Sequence, residues 1–225
     1  MALSARTTAV VMISAAVLVN VAFTGLGMVF DYPDVLKHPA AEVLASFRAS
    51  QGAVSSWFLL LALGAALLAP VALGVGRLSD APAMRWAVRA GVAAAVVQVV
   101  GLLRWPLLVP GWAAAAAEDA FATANRVLGN LIGETGGYVL TAAWTALVLV
   151  ALGTAFAGRL FVAVGAVSAM LILLGVASPL DLPLVDDANF VGYVLWSGWL
   201  VAFAVVLLRR RSPVETRRAA RTATG

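Results

Sequence analysis

Six apolar stretches divide this sequence, from Thr8 to Phe30, Ala53 to Val75, Trp86 to Val109, Leu128 to Ala155, Leu160 to Leu180 and Asn189 to Leu208. Each is long enough to cross roughly 30 Å of hydrocarbon as a helix. If the helices alternate in direction, the charges of the intervening segments sort by side. Arg6, Arg77, Arg85, Arg89, Arg159, Arg209, Arg210, Arg211, Arg217, Arg218 and Arg221 fall on one side with only Asp80 and Glu215. The other side holds Asp31, Asp34, Glu42, Glu118, Asp119, Glu134, Asp181, Asp186 and Asp187 against Lys37, Arg48, Arg104 and Arg126. Lys and Arg near helix ends resist translocation, so the basic side reads as cytoplasmic and both termini as inside. The expected fold class is all-α: a polytopic bundle of six transmembrane helices. It forms a single membrane domain over residues 1–208, followed by a basic, disordered cytoplasmic tail over 209–225.

Composition agrees. With 63% hydrophobic and 12% charged residues, the chain has too little polar surface to cover a soluble globule of 225 residues. A pI near 10.3 raises nucleic acid as a partner. The basic residues sit at membrane borders and not on an aromatic-studded face, so nucleic-acid binding is not expected. Membrane lipids are the expected partners, their anionic headgroups matching the Arg-rich tail, where Arg209 to Arg211 also serve as a topology anchor. The first stretch is longer than a signal-peptide core and lacks a small-residue cleavage site before Asp31, so it is read as part of the mature protein.

The chain has no cysteine and one histidine. A structural zinc site, bis-His haem ligation, thiol redox chemistry and a Cys nucleophile therefore cannot be built within one chain, and no metal or cofactor is expected. His38, in Lys37-His38-Pro39, reads as the neighbour of a helix start and not as a catalytic base.

The outer loops carry most of the structure outside the membrane. Pro39 can open a short helix that places Val43, Leu44 and Phe47 on one side, lying on the outer surface. Pro106 and Pro110 are expected to end the third span, with an Ala-rich helix over residues 113–124 running on toward the fourth. An internal echo then relates helices 3 and 4 to helices 5 and 6. Pro106-Leu107 and Pro110 match Pro179-Leu180 and Pro183, and Gly137-Tyr138-Val139-Leu140 with Trp144 matches Gly192-Tyr193-Val194-Leu195 with Trp199. Both hairpins would start inside, giving a parallel repeat. Tyr and Trp also anchor helices at interfaces, which explains the echo without duplication.

The outer half of helix 4 concentrates the polar chemistry. Gly129, Gly133 and Gly137 recur every four residues and form a flat strip that lets another helix approach closely. Beside it Arg126, Asn130, Glu134 and Tyr138 recur at the same interval and form a polar line. A carboxylate inside a span needs a partner or water. Arg104, at similar depth near the outer end of helix 3, is the expected partner of Glu134, and Gln98 lies deeper in the same helix. The arrangement has two readings: a buried Arg104 to Glu134 pair that fixes helix registry, or an outward-facing pocket for a small ligand.

Arg104-Trp105-Pro106, Gly133-Glu134, Gly137-Tyr138, Asp31-Tyr32-Pro33 and Gly192-Tyr193 with Trp196 resemble, in order and spacing over most of the chain, the bacterial membrane-protein family catalogued as domain of unknown function 4386. That resemblance implies a multi-pass protein of the bacterial plasma membrane without an assigned reaction. On function, the residues favour a non-catalytic protein whose polar site between helices 3 and 4 binds or moves a small solute or lipid, or engages a protein partner. The alternative is an intramembrane enzyme with Glu134 as general acid or base, which needs a second reactive group that the sequence does not identify.

Overall fold

A computed structural model describes residues 3–180 and 182–209 of the chain. The tail expected to be disordered lies, past Arg209, outside the described residues. Among the described residues the fold is helical, without strands. Five helical stretches are long and apolar enough to cross a membrane: Ala5–Phe30, Gln51–Leu78, Pro82–Ala115, Glu118–Leu180 and Val185–Arg209.

Helix α1 (Ala5–Phe30) starts on Ser4, whose hydroxyl accepts the Thr7 amide, and ends where Asp31 turns left-handed. Beyond it α2 (Ala40–Ala49) tucks Val43, Leu44 and Phe47 inward. Next come α3 (Gln51–Ala66) and α4 (Leu68–Val75), which share one stretch. Helix α5 (Pro82–Leu107) begins on a proline in its first turn and carries Pro106 to its last. Helix α5 thus ends one residue past Pro106, close to where Pro106 and Pro110 were expected to end the third span. Pro110 instead opens the short α6 (Val109–Ala115), because a first-turn proline gives up an amide that has no helical partner there. The Ala-rich run also breaks: Ala116 adopts a left-handed φ of 51°, and α7 (Glu118–Ala124) starts afresh.

From Asn125 to Gly136 the chain is π-helical, and α8 (Gly137–Leu174) follows without interruption. Helix α8 folds back on itself. Gly153 (φ 61°, ψ −171°) and Gly158 (φ 85°, ψ 177°) occupy backbone space open essentially only to glycine. The consequence is visible farther along: a Cβ built on Gly165 would stand 3.1 Å from Leu149 Cδ1. The same two residues in a straight helix would be about 24 Å apart. Helix α9 (Val185–Arg209) closes the bundle.

The two ends of the bundle differ in charge as the sequence does. At one end Arg77 donates to the Leu3 carbonyl and Ser79 reaches the Ala151 carbonyl. At the other, Arg48 donates to the Ala113 carbonyl, and Lys37 lies 3.8 Å from Asp186 as well as 2.7 Å from Asp34. Each end has its own aromatic core. Trp105 stacks on Phe58 at 4.8 Å among Phe30, Phe47 and Phe121 toward the acidic end. Trp199 stacks on Phe161 at 5.1 Å beside Phe156 and Phe203 toward the basic end. Such ring pairs are each worth roughly 0.5–1.5 kcal/mol beyond their buried area.

The α5/α8 hairpin and the hairpin of the second α8 limb with α9 are built alike. A Cβ on Gly91 would meet Trp144 at 2.6 Å, and one on Gly165 would meet Trp199 at 2.8 Å. A Cβ on Gly137 would meet Gln98 at 2.9 Å, and one on Gly192 would meet the Ile172 backbone at 2.7 Å. Gly91 with Gly165 and Gln98 with Ile172 share one offset, one residue longer than that of the matched Pro106 and Pro179, and Gly137 with Gly192 and Trp144 with Trp199 share another. The matched residues also touch each other, Tyr138 against Tyr193 at 6.0 Å and Trp144 against Trp199 at 5.9 Å.

Candidate functional site

The glycine strip faces α5. A Cβ on Gly129 would stand 2.7 Å from the Arg104 guanidinium, one on Gly133 would stand 3.0 Å from Gly101 Cα, and Gly137 abuts Gln98. Only hydrogen fits at the middle contact, where two backbones meet. Gly129 and Gly133 lie in the π segment, where i→i+5 bonding replaces the α pattern, and Gly137 opens α8.

Arg104 is 4% exposed. It donates to the Gly101 carbonyl and, at 2.7 Å, to Asn125 Oδ1, while its Nε has no partner. The expected contact with Glu134 is not made: no Arg104 nitrogen comes within ion-pair distance, 4.0 Å, of the Glu134 carboxylate. Asn125 takes that place. It sits on the first residue of the π segment, and nothing in the four-residue spacing marked it, because it lies one position outside the polar line.

Glu134 is partly buried, and among the described residues its carboxylate has no hydrogen-bond or ion-pair partner. Its charged neighbours are Arg104 and Asp186. All three tyrosines of the chain lie within electrostatic reach of it: Tyr32 from the loop after α1, Tyr138 from α8 and Tyr193 from α9. The Tyr32 phenol, outside the apolar spans, is held above its ordinary range by burial, with Glu134 pushing the same way and Arg104 opposing it. Tyr32 packs edge-on to Phe58 at 5.2 Å and Phe23 at 5.7 Å, which fixes its ring over this region.

The remaining polar residues fall on either side of Glu134. Toward the acidic end, Arg126 and Asn130 line a pocket of about 230 Å³ with Asn125, His38 and Phe121. Arg126 is exposed there. Deeper in the bundle, Gln98 lines a cavity of about 50 Å³ with Thr141, Tyr193, Trp196 and Ser197, enough for a few water molecules. Polar bonds run along one side of it: Gln98 donates to Thr141 at 3.2 Å, Trp196 donates to Thr145, and Asn20 donates to Ser197. The polar residues read from sequence therefore do not form one cluster. Arg126 and Asn130 belong to the outer pocket, Gln98 to the inner cavity, and Glu134 and Tyr138 to the zone between, with Arg104 beside it behind Asn125.

No family model matches the chain, and neither curated proteins nor solved structures give a match.

Proposed function

We infer that this is a multi-pass membrane protein that takes a small solute from outside into a site centred on Glu134. It crosses the membrane six times, with the α8 reversal supplying the fourth and fifth crossings and both termini on the basic, cytoplasmic side. The hairpins of helices 3–4 and 5–6 form a parallel repeat. Their support is the equivalent glycine contacts in the two hairpins and the mutual contacts of matched Tyr and Trp residues. The family resemblance carries no assigned reaction, so the functional reading rests on the site alone.

The observation that carries it is an ionisable side chain within an apolar span, Glu134, that no described residue pairs with. Charges within spans are costly, and those that persist pair with one another or face a pathway or ligand. Glu134 does not pair with Arg104, whose donors are turned to Asn125 and Gly101. Along the chain it lies between Asn130, which lines the pocket toward the acidic end, and Thr141, which lines the inner cavity. A π segment at this place fits the reading, since departures from α geometry of this kind concentrate at functional sites.

The test is thermal unfolding of the purified full-length protein in detergent against a panel of small cationic, anionic and neutral solutes. A ligand that binds only the folded state raises the midpoint by mass action. At least one class should stabilise the wild type and lose its effect in Glu134→Gln. A panel without any Glu134-dependent shift would overturn the reading.

A further inference from the structure

We propose that the outer pocket between α2, α7 and the π segment binds a small organic monoanion, a carboxylate carried on an apolar body. Glu134 does not line this pocket, so the inference goes beyond the Glu134 reading and stands or falls separately from it.

The walls of the pocket divide by chemistry. Asn125, Arg126, Asn130 and His38 line the polar part of a space of about 230 Å³, and Val43 and Phe121 line the apolar part. Among the described residues no Asp or Glu lines it. His38 leads into α2, and Asn125 to Asn130 open the π segment directly after α7, so three elements bring these residues together.

Arg126 is the residue that points to an anion. Lys37, Arg48, Arg104 and Arg126 are the basic residues of the acidic end, and the first three are engaged. Lys37 meets Asp34 and Asp186, Arg48 donates to the Ala113 carbonyl, and Arg104 donates to Asn125 and to the Gly101 carbonyl. Arg126 is exposed and has no ion pair or hydrogen bond among the described residues. Asn125 adds a second donor. Its Oδ1 accepts the Arg104 guanidinium at 2.7 Å, so what remains for a ligand is its amide nitrogen, which has no partner among the described residues and is not buried. A guanidinium fork and an amide nitrogen are donors suited to the two oxygens of a carboxylate.

The surrounding charges set the valence of the ligand. His38 Nδ1 lies 3.2 Å from Glu42 Oε2, so His38 brings its own counter-charge. Glu118 and Asp119, in the first turn of α7, are exposed and do not line the pocket, and salt screens exposed charges beyond roughly 8 Å. Glu134, four residues past Asn130, opposes an anion. Arg104 favours one: it is 4% exposed, has no carboxylate within ion-pair distance, and is bonded directly to Asn125 of the pocket wall. Burial leaves its charge less screened than any on the surface. With these two offsetting each other, Arg126 remains as the uncompensated charge of the lining, which matches a monoanion better than a phosphate dianion. The apolar part fixes the rest of the ligand, since an acid with an aromatic or branched body covers Val43 and Phe121 where a bare inorganic anion leaves them against water.

The experiment is thermal unfolding of the full-length protein in detergent with sodium benzoate as the probe. Benzamide, which has the same shape without the charge, benzylammonium chloride and sodium phosphate serve as comparisons at equal ionic strength. Benzoate should raise the midpoint in a saturable manner, as a ligand of the folded state does, and the other three should not. Arg126→Gln should weaken benzoate affinity about fivefold or more, and Arg126→Glu should abolish the shift. Arg126 is exposed and bonded to no described residue, so both variants should fold as the wild type does. Arg85→Gln, which removes an exposed arginine of the basic end, should leave the benzoate titration unchanged. An equal shift with benzamide would overturn the anion assignment. So would a benzoate shift undiminished in Arg126→Glu, or no shift with benzoate at all. An Arg126-dependent shift with phosphate and not with benzoate would overturn the carboxylate class. None of these outcomes bears on the Glu134 reading, which is tested by Glu134→Gln.

Discussion

Arg104 illustrates how a residue can be recognised by type and still be assigned the wrong neighbour. Opposite charge and matched depth pointed to Glu134, but the guanidinium instead turns to Asn125 and its own Gly101 carbonyl. A carboxamide oxygen and a carbonyl satisfy two donors without burying a second charge, which removes one large desolvation cost. A double-mutant cycle follows from this geometry. Arg104→Leu and Asn125→Ala should be non-additive by roughly 0.5–3 kcal/mol, whereas Arg104→Leu and Glu134→Gln should lie closer to additive, measured by thermal unfolding in detergent. A larger coupling for the second pair would restore the ion pair. At Gly133 the constraint is steric. Its missing Cβ faces backbone at Gly101, so Gly133→Leu should cost about 1–3 kcal/mol or more, while Gly198→Ala, which meets open space, should leave the midpoint within a degree or two. Equal tolerance at both positions would show that the strip does not pack on α5.

At the scale of elements, the boundaries of helices were legible where apolar runs end in charge or proline, and less so where backbone geometry changes within a run. The α2 face of Val43, Leu44 and Phe47 followed from spacing alone. Pro106 marked the end of α5 to within one residue, and what the sequence did not show was the restart of the chain as α6 at Val109. The π segment was not legible, because the four-residue spacing from Arg126 to Tyr138 reads as one helix face and nothing in it marks i→i+5 bonding. The reversal in α8 was legible as the short polar gap around Arg159, and the structure places its cause in Gly153 and Gly158. Open space surrounds both, so the penalty for a side chain is conformational and not steric. Gly158→Ala should therefore lower stability by about 1–3 kcal/mol, read as a lower unfolding midpoint. An unchanged midpoint would mean that the turn relaxes freely into ordinary backbone space.

For the whole molecule, the charges sorted in the sequence can be followed to the two ends of the bundle. Sequence alone sorted the charges into two sets, and the contacts of Arg77 with Leu3 and of Ser79 with Ala151 bring the basic set's segments to one end, away from Lys37, Asp186 and Arg48. What sequence could not supply is which polar residues meet, since that depends on helix rotation, and rotation here is set by glycines pressed against Trp144, Trp199, Gln98 and Ile172. The proposed six-crossing arrangement makes a definite demand on the turn in α8. If α8 reverses at the basic end, Thr154 and Ala81 share a side of the membrane, and Ala41 on α2 and Asp187 at the start of α9 share the other. The chain lacks cysteine, so single cysteines can be introduced without background. In intact cells an impermeant thiol reagent should label Ala41→Cys and Asp187→Cys, and should label Ala81→Cys and Thr154→Cys only after the membrane is permeabilised. The reverse pattern would invert the orientation, because the positive-inside argument fixes direction and nothing else. Labelling of Thr154→Cys together with Asp187→Cys, but not Ala81→Cys, would place the α8 turn on the acidic side and leave the charge asymmetry without its six-crossing explanation.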